Sequence, residues 1–301
     1  MPLTQNTALS SSVFSRATQA HEEHPERNED NILIDKRNGL VAVFDGVGST
    51  AGEIASRLAT QHIQQGWRRY CKQRAKKTQG TEGQESGEIL CDPGEVATTL
   101  HQLIEDANKY VHEEGTRQVV EGGSHGAPET TVALLAFCQQ QHGTSIVYAH
   151  VGDSRIYLLR SQKELQRLTE DDGFLSIVLA TQTITPEDAQ RIDQTVSPDQ
   201  LSENERGYFD KRNGITQALG EDRPLDIHIG QHDLLPGDQL LLCTDGIHDN
   251  LTDVEIEHVI THSGKTTAAK RLVEKATWRS QEEHMRAKKD DMSAVVVTFI
   301  E

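Results

Sequence analysis

The sequence predicts an α+β fold in which β-strands occupy the middle of the molecule and helices lie outside them. Apolar residues are grouped in short blocks with the composition of buried strands, and the longest blocks are residues 40–44, 131–138 and 294–300. Amphipathic helical segments occur in pairs between groups of these blocks. Because strands and helices do not alternate regularly, their order does not fit a parallel βαβ sheet.

Length and composition favour one large globular domain. The chain has 301 residues, of which 35% are hydrophobic and 4% aromatic, and the clustering of the apolar residues is compatible with a packed core. Lysine and arginine total 30 against 47 aspartates and glutamates, which gives a formal charge of −17. This charge argues against binding to nucleic-acid phosphates or to anionic lipid.

No sequence feature indicates a membrane span or a secreted protein. The apolar blocks are far shorter than the roughly 20 residues that a membrane helix needs, and the N-terminus lacks the pattern of a signal peptide. We therefore expect a cytoplasmic protein, and we separately expect a monomer. The four cysteines form no CxxC pair and two lie in apolar blocks, so we expect neither a disulfide nor a zinc site; they are Cys71, Cys91, Cys138 and Cys243.

The N-terminal part of the chain predicts a hairpin followed by two helices. Residues 31–35 and 40–44 are β-prone runs joined by an Asn-Gly turn, which is a strong hairpin signal. A helix is predicted next, because apolar residues recur at four-residue spacing at Ala55, Ala59, Ile63 and Trp67. Residues 71–91 are polar and are predicted to form a solvated insert, after which a second amphipathic helix begins.

Strands predominate again in the C-terminal part. Three strand-like runs, at residues 131–138, 145–151 and 155–160, predict an antiparallel meander. Residues 172–213 are more polar, contain two helix starts led by proline, and are predicted to form a flap-like excursion of short helices. The remaining segments predict strands at residues 225–229 and 239–243, two helices that begin near residues 252 and 267, and a last strand at residues 293–300.

Five aspartates lie at or beside the ends of predicted strands: Asp30, Asp45, Asp153, Asp245 and Asp290. A single aspartate in such a position is more often a turn former. Hydrophobic runs, however, lead directly into Asp45 and Asp245, so buried strands would deliver these carboxylates at a rigid sheet edge.

Several carboxylates at one place require a compensating cation, because they repel one another when ionised. The chain has no clustered Cys and no suitably spaced His, and an oxygen-only ligand set favours Mg²⁺ or Mn²⁺ over zinc. Two such ions bridged by one aspartate could activate a water for in-line attack on phosphorus.

An ordered set of short motifs extends from about residue 13 to residue 300. The motifs are Asn-Glu-Asp (28–30), Phe-Asp-Gly-Val-Gly (44–48), Gly-Glu-Ile-Ala-Ser (52–56), Glu-Thr-Thr (129–131), Val-Gly-Asp-Ser-Arg (151–155), Leu-Thr-Glu-Asp (168–171), Ile-Thr-Gln-Ala-Leu-Gly (215–220), Cys-Thr-Asp-Gly-Ile (243–247) and Asp-Asp (290–291). This set resembles, in order, the motifs of the metal-dependent type 2C (PPM-type) serine/threonine protein phosphatases of bacterial type.

The resemblance implies a four-layer α-β-β-α sandwich, in which two central antiparallel sheets are flanked by helix pairs. A flexible N-terminus of residues 1–12 would precede a single phosphatase domain of residues 13–301. The implied activity is hydrolysis of phosphoserine and phosphothreonine in proteins by a water that bridges two Mn²⁺ or Mg²⁺ ions. The implied partners are phosphorylated protein substrates and a cognate serine/threonine kinase.

The resemblance also implies metal ligands by position in this sequence. Asp45 would bridge both metals, and the carbonyl of Gly46 would add to one of them. Asp245 and Asp290 would complete the other. Asp153 and Asp245 would hold a third, weaker ion, so the centre would contain two or three ions.

Catalytic roles outside the metal ligands are implied for three further residues. Glu29 and Asp30 would hold metal-bound waters. The family usually places a phosphate-binding Arg five residues before this Asp, where this chain has Pro25. Arg27 is the candidate to bind the substrate phosphate instead, and His21 and His24 are alternative phosphate contacts. The other interpretation of Arg27 is a solvated surface charge.

Other departures from the family pattern concern single positions. Val47 stands where animal-type members have a His, and Asp172 stands where a His usually follows the Leu-Thr-x-Asp motif. Asp291 replaces an Asn; its charge could tighten a weak metal site or face solvent, and we expect it to face solvent. Lys288 and Lys289 are expected to lie in a solvated loop before the last strand.

The sequence leaves two other functions open. The absent Arg would also fit a catalytically weak, phosphatase-like regulatory module that binds a phosphoprotein or a partner. A phosphatase of small phosphorylated metabolites would share the same chemistry and differ in the surface around residues 172–213, since loops of this kind often select the substrate.

Overall fold

Two antiparallel β-sheets form the centre of the fold, and this computed structural model describes the chain over residues 12–48, 50–79, 90–122, 126–161 and 164–300. In chain order the strands are β1 (Val13–Gln19), β2 (Asn31–Asp35), β3 (Leu40–Phe44), β4 (Gly46–Val47), β5 (Glu129–Thr130), β6 (Val132–Gln140), β7 (Gly143–Val151), β8 (Arg155–Leu159), β9 (Gln166–Arg167), β10 (His228–Leu234), β11 (Gln239–Cys243) and β12 (Met292–Thr298).

The helices lie between groups of strands. In chain order they are α1 (Thr50–Gln79), α2 (Pro93–Tyr110), α3 (Thr116–Glu121), α4 (Phe174–Ala180), α5 (Pro186–Asp193), α6 (Glu203–Phe209), α7 (Asp245–His248), α8 (Asp253–Thr261) and α9 (Ala268–Ser280). A π-helical turn at Val111–Gly115 joins α2 to α3, and Pro198–Gln200 form a 3₁₀ turn. No helix within the described ranges combines the length and the apolar composition of a bilayer span.

The order of strands is β10-β7-β6-β3-β2 in the first sheet and β1-β12-β11-β8-β9 in the second. All neighbouring strands are antiparallel. The short strands β4 and β5 pair separately beside the site described below. The first sheet contains the predicted opening hairpin, β2-β3, and the second is completed by the last strand.

Both faces of the central strands are buried, which places the two sheets between helices. In β3, Val41 and Val43 pack in the core between the sheets, whereas Ala42 and Phe44 belong to the core that contains residues of α1 and α2. In β12, Val295 likewise packs between the sheets and its neighbours pack with α8 and α9. Successive side chains of a strand point to opposite faces, so the predicted four-layer α-β-β-α order is confirmed.

The third strand of the predicted meander joins the other sheet. β6 pairs with β7, but β8 pairs with β11 and β9. Gly152, in the turn between β7 and β8, has φ of +96°, a conformation that glycine adopts without steric cost. The chain therefore leaves the first sheet at this turn and enters the second, and the turn lies at the end of both sheets.

Two expectations for the segment before α2 are wrong. Helix α1 continues to Gln79, so residues 71–79 of the predicted polar insert are helical, and residues 80–89 of that insert lie outside the described chain. Cys91 and Cys138 form a disulfide, which joins the segment before α2 to strand β6. Spacing alone did not indicate it, because the two residues are 47 positions apart and meet only through the fold.

Residues 172–213 contain three short helices with a small core of their own. Ile192, Leu201 and Phe209 pack together apart from the three main cores.

The sequence pattern did not predict β1, whose alternating polar residues pair with β12 at a sheet edge. β10 begins at His228, three residues later than expected.

Candidate metal centre

Three of the five predicted aspartates meet where the ends of the two sheets come together. Asp45 follows β3, Asp153 lies in the turn between β7 and β8, and Asp245 begins α7 directly after β11. One carboxylate oxygen of each residue lies within 4.8 Å of the other two. Residues that are far apart in the chain therefore form one acidic cluster, as the sequence predicts.

The backbone of Asp45 is held by the neighbouring Glu-Thr-Thr motif. Its N–H donates to Oγ1 of Thr131 at 3.2 Å, and its carbonyl accepts from the Thr131 N–H and the Thr130 hydroxyl, each at 2.8 Å. Gly46 packs against the start of α1, where an added Cβ would lie 2.5 Å from the backbone of Gly52. These contacts leave the Asp45 carboxylate available as a ligand and bring the Gly46 backbone beside it.

The Asn-Glu-Asp motif lies beside the cluster and is bonded to its edge. Oδ2 of Asp30 accepts from the Thr244 hydroxyl at 2.8 Å, whereas its buried Oδ1 has no hydrogen-bond partner among the described residues. Glu29 Oε1 lies 3.0 Å from Nε of Arg27. The Arg27 side chain, 29% exposed, therefore lies beside Glu29.

Asp291 does not face solvent, contrary to the expectation from sequence. It is 4% exposed, and its carboxylate accepts from the backbone N–H groups of His21 and Glu29, each at 2.6 Å. Buried backbone N–H groups need acceptors, and an aspartate supplies two oxygens here. Asp291 therefore orders the loop that carries Arg27 and Glu29.

Asp290 and Lys288 form the other side of the cluster. Oδ2 of Asp290 lies 3.0 Å from Nζ of Lys288, and Oδ2 of Asp249 lies 2.9 Å from the same nitrogen. Lys288 also contacts the Asp245 carboxylate. The prediction of a solvated loop is therefore wrong for Lys288.

The sequence interpretation missed Asp249 as well as Lys288. Asp249 comes four residues after Asp245, and residues at that spacing on a helix share a face, which was the signal available for it. Nothing in the Lys-Lys pair distinguishes Lys288 from its neighbour by sequence. Lys289 is 48% exposed and pairs with Glu22 at 2.6 Å.

The carboxylates of the centre are hard to ionise together. Burial is the largest cause that raises the pKa of Asp45, followed by the charges of Asp245 and Asp30. Burial also raises the pKa of Asp245 to about 7, with Asp290 and Asp249 adding to the effect and Lys288 opposing it. Such a cluster is stabilised in its charged form by a cation that lies among the carboxylates.

The donor atoms fit a hard divalent ion. The three converging ligands are all carboxylate oxygens, and the buried Oδ1 of Asp245, like that of Asp30, lacks a hydrogen-bond partner within the described ranges. Mg²⁺ and Mn²⁺ favour such oxygen ligands. The residues present therefore fit the predicted Mn²⁺ or Mg²⁺.

His248 supports the turn that carries Asp153. Its Nε2 lies 3.0 Å from the Asp153 carbonyl, so Nε2–H donates to that oxygen. Burial, with a further contribution from Arg155, lowers the pKa of His248 to about 3. The imidazole is therefore neutral at physiological pH and acts here as a hydrogen-bond donor to the backbone.

Comparison with known proteins identifies relatives over most of the chain. Protein phosphatase PhpP of Streptococcus pneumoniae is 27% identical over 223 residues, which cover 74% of this chain and 72% of the relative. The serine/threonine phosphatase stp of Listeria monocytogenes is 27% identical over 237 residues, which cover 77% of each chain.

Solved structures share the fold over nearly the whole chain. The S. agalactiae serine/threonine phosphatase superposes with a TM-score of 0.69 at 24% identity and covers 96% of this chain and 100% of its own. The catalytic domain of PstP, solved in complex with two manganese ions, gives 0.64 at 22% identity over 97% of this chain and 100% of its own. The family model for protein phosphatase 2C matches residues 18–289. The chain therefore belongs to the protein phosphatase 2C family.

Proposed function

We propose that this chain hydrolyses phosphoserine and phosphothreonine in proteins and requires Mn²⁺ or Mg²⁺. The observation that carries the proposal is the convergence of Asp45, Asp153 and Asp245 from separate strand ends to within 4.8 Å. Family membership supports the reaction class, and the relatives named as protein phosphatases support the substrate class. The structural relative with two manganese ions supports the choice of metal.

Within this proposal, the ligands are those predicted from the sequence: Asp45, the carbonyl of Gly46, Asp153, Asp245 and Asp290. When bound, divalent ions neutralise phosphate charge and lower the pKa of a water molecule, which makes it a nucleophile at neutral pH. The protein holds its acidic ligands on strand ends and thereby fixes their geometry before the substrate arrives.

Two residues of the Asn-Glu-Asp motif have roles other than direct metal binding. Asp30 is positioned by Thr244 through Oδ2, and its Oδ1 is the atom that can accept a proton at the centre. Burial is the first cause that raises the pKa of Asp30, while Asp290 and Asp291 raise it further. Glu29 holds Arg27 through its carboxylate, and we expect Arg27 to bind the substrate phosphate.

The cellular setting belongs to the same proposal. We expect a monomeric, cytoplasmic enzyme that opposes a serine/threonine kinase on shared protein substrates. Disulfides are rare in the cytosol, so in that compartment the Cys91–Cys138 pair is expected to be reduced. Thiol labelling of the protein in lysed cells, before and after reduction, would measure this directly.

Phosphate release from a phosphothreonine peptide tests the proposed activity. The wild type should release phosphate only with added Mn²⁺ or Mg²⁺, and Asp45→Asn and Asp245→Asn should remove most of the activity. The matched control is Asp199→Asn, which changes an exposed aspartate in the 3₁₀ turn and should leave the rate unchanged.

Three outcomes would contradict the proposal in different ways. Activity that survives EDTA or both active-site substitutions would contradict the metal-dependent mechanism. A chain that binds Mn²⁺ and phosphopeptide without releasing phosphate would be the regulatory module, whereas a marked preference for sugar phosphates would indicate the metabolite phosphatase.

A further inference from the structure

The Lys288 side chain lies among the carboxylates of the acidic centre. Its side chain is 22% exposed and its Nζ contacts three carboxylates, those of Asp245, Asp249 and Asp290. Asp245 and Asp290 are two of the ligands in the proposed function. One positive charge of the protein therefore lies on the side of the centre where these two ligands would bind an ion.

The backbone of Lys288 is fixed by a buried amide. Its N–H donates to Oδ1 of Asn250 at 3.0 Å, and its carbonyl accepts from Nδ2 of the same residue at 2.9 Å. Nδ2 of Asn250 also donates to the carbonyl of Gly246, next to Asp245, at 2.9 Å. Asn250 is fully buried, so this link sets the distance between the start of the Lys288 side chain and the metal ligands.

Asp249 holds the ammonium at this position from the other side. It is 3% exposed, is separate from the three converging carboxylates, and lies 2.9 Å from Nζ of Lys288. The ammonium is thus held between Asp249 and the two proposed ligands, Asp245 and Asp290.

We propose that Lys288 is a resident cation that competes with one divalent ion for Asp245 and Asp290 and so weakens binding on that side of the centre. The inference rests on the proposed function, since it takes these residues as metal ligands. A carboxylate oxygen that accepts from an ammonium is a poorer ligand, and two cations a few ångströms apart repel each other strongly in a partly buried site.

The two sides of the centre then differ in affinity. Asp45 and the Gly46 carbonyl form one side of the centre, and the ion pairs of Lys288 within the described ranges do not include Asp45. An ion that binds on the other side must displace the ammonium from Asp245 and Asp290. Ions should therefore fill the centre in two steps, with the weaker step set by Lys288.

Mn²⁺ binding measured by electron paramagnetic resonance tests the inference without any activity assay. The signal of free Mn²⁺ is followed while chelator-treated protein is titrated, for the wild type, Lys288→Gln and Lys289→Gln. We expect the weaker class of sites in Lys288→Gln to tighten by about tenfold or more, which corresponds to about 1.4 kcal/mol. Lys289→Gln, which removes the adjacent exposed charge, should match the wild type.

A second variant separates competition from net charge and protects the test against a folding defect. Lys288→Gln combined with Asp249→Asn removes one positive and one negative charge, so the centre keeps its net charge but loses the ammonium. Thermal melting in EDTA reports whether each variant folds. We expect the double variant to bind Mn²⁺ more tightly than the wild type as well.

The outcomes are distinguishable. Equal or weaker Mn²⁺ binding in Lys288→Gln would overturn the inference about Lys288 and leave the proposed function intact, and so would a double variant that returns to wild-type affinity. Absence of Mn²⁺ binding in the wild type and in all variants would instead overturn the metal-dependent function on which the inference rests.

Discussion

The carboxylate of Asp172 accepts a hydrogen bond from the backbone N–H of Gly152 at 2.8 Å. It also accepts from Nε2 of Gln217 and contacts Nε2 of His228, each at 2.8 Å, and the Asp172 N–H donates to the Gly152 carbonyl at 3.0 Å. The start of the segment 172–213 is thereby bonded to the turn that carries Asp153. A substitution at Asp172 should therefore alter the position of Asp153 in the metal centre.

Asp172→Asn should lower phosphatase activity and metal affinity by about tenfold or more, since outer residues that position metal ligands have effects of this size. The amide keeps one acceptor oxygen and places an NH₂ group against a donor, which should cost about 1–3 kcal/mol of stability. Mn²⁺ titration and urea unfolding measure the two effects. Wild-type values for both would show that Asp172 does not position the turn.

Acid should weaken the attachment of α5 to the second sheet. Asp193 is buried, which opposes its ionisation, but Arg155, Arg167 and Arg286 hold its pKa well below the ordinary value, and Arg155 bonds it at 3.1 Å. A depressed pKa gives stability that is fully present above the unfolded-state pKa of about 4 and is lost as the pH falls below it.

Asp193→Asn tests this contribution. The variant should be less stable than the wild type at pH 7, and the difference should shrink as the pH is lowered through about 4. Urea unfolding at a series of pH values measures it. A difference that stays constant down to the lowest pH at which the protein folds would contradict the assignment to Asp193.

Gly246 is required by close backbone packing beside Asp245. A Cβ at this position would lie 2.1 Å from the carbonyl oxygen of Asp291, so Gly246→Ala should cost about 1–3 kcal/mol and weaken Mn²⁺ binding. Gly207→Ala is the matched control, because an added Cβ in α6 meets nothing within 4 Å and alanine favours a helix by about 0.5–1 kcal/mol. Similar melting temperatures for the two variants would contradict the packing argument.

Arg27 should contribute to substrate binding more than to metal binding. Arg27→Ala should raise KM for a phosphopeptide by about tenfold, the loss expected for a hydrogen bond to a charged group, and leave Mn²⁺ affinity close to wild type. The KM of Arg27→Lys should lie between those of the wild type and Arg27→Ala, since lysine cannot bind phosphate in a bidentate way. Arg37→Ala, on the exposed turn between β2 and β3, is the control, and an unchanged KM in Arg27→Ala would make Arg27 a surface charge.

Much of the fold was predictable because each central strand is a short apolar block and each flanking helix has one apolar stripe. The move of β8 to the second sheet was not predictable. The sequence of β8 would suit either sheet, and the change of sheet depends on the conformation of Gly152. The disulfide depends on a tertiary contact between Cys91 and Cys138. Such contacts leave no local pattern in a single sequence.

The positions of the proposed ligands were predictable for a different reason. Asp45 and Asp245 directly follow buried strands, so the local sequence indicates both their position and their rigidity. Lys288 and Asp291 were misjudged, because a charged residue in a loop normally lies in water and only the fold brings these two against buried partners. Lys288 contacts the Asp249 carboxylate, and Asp291 accepts from the Glu29 N–H. Both partners are far from them in the chain.

The most direct test of the metal centre is anomalous diffraction at the manganese edge from crystals of the protein grown with Mn²⁺. We predict anomalous peaks in contact with the carboxylates of Asp45 and Asp245, with Asp153 or Asp290 completing the coordination. Ordered Mn²⁺ only elsewhere on the protein, with these two carboxylates turned away from each other, would contradict the account.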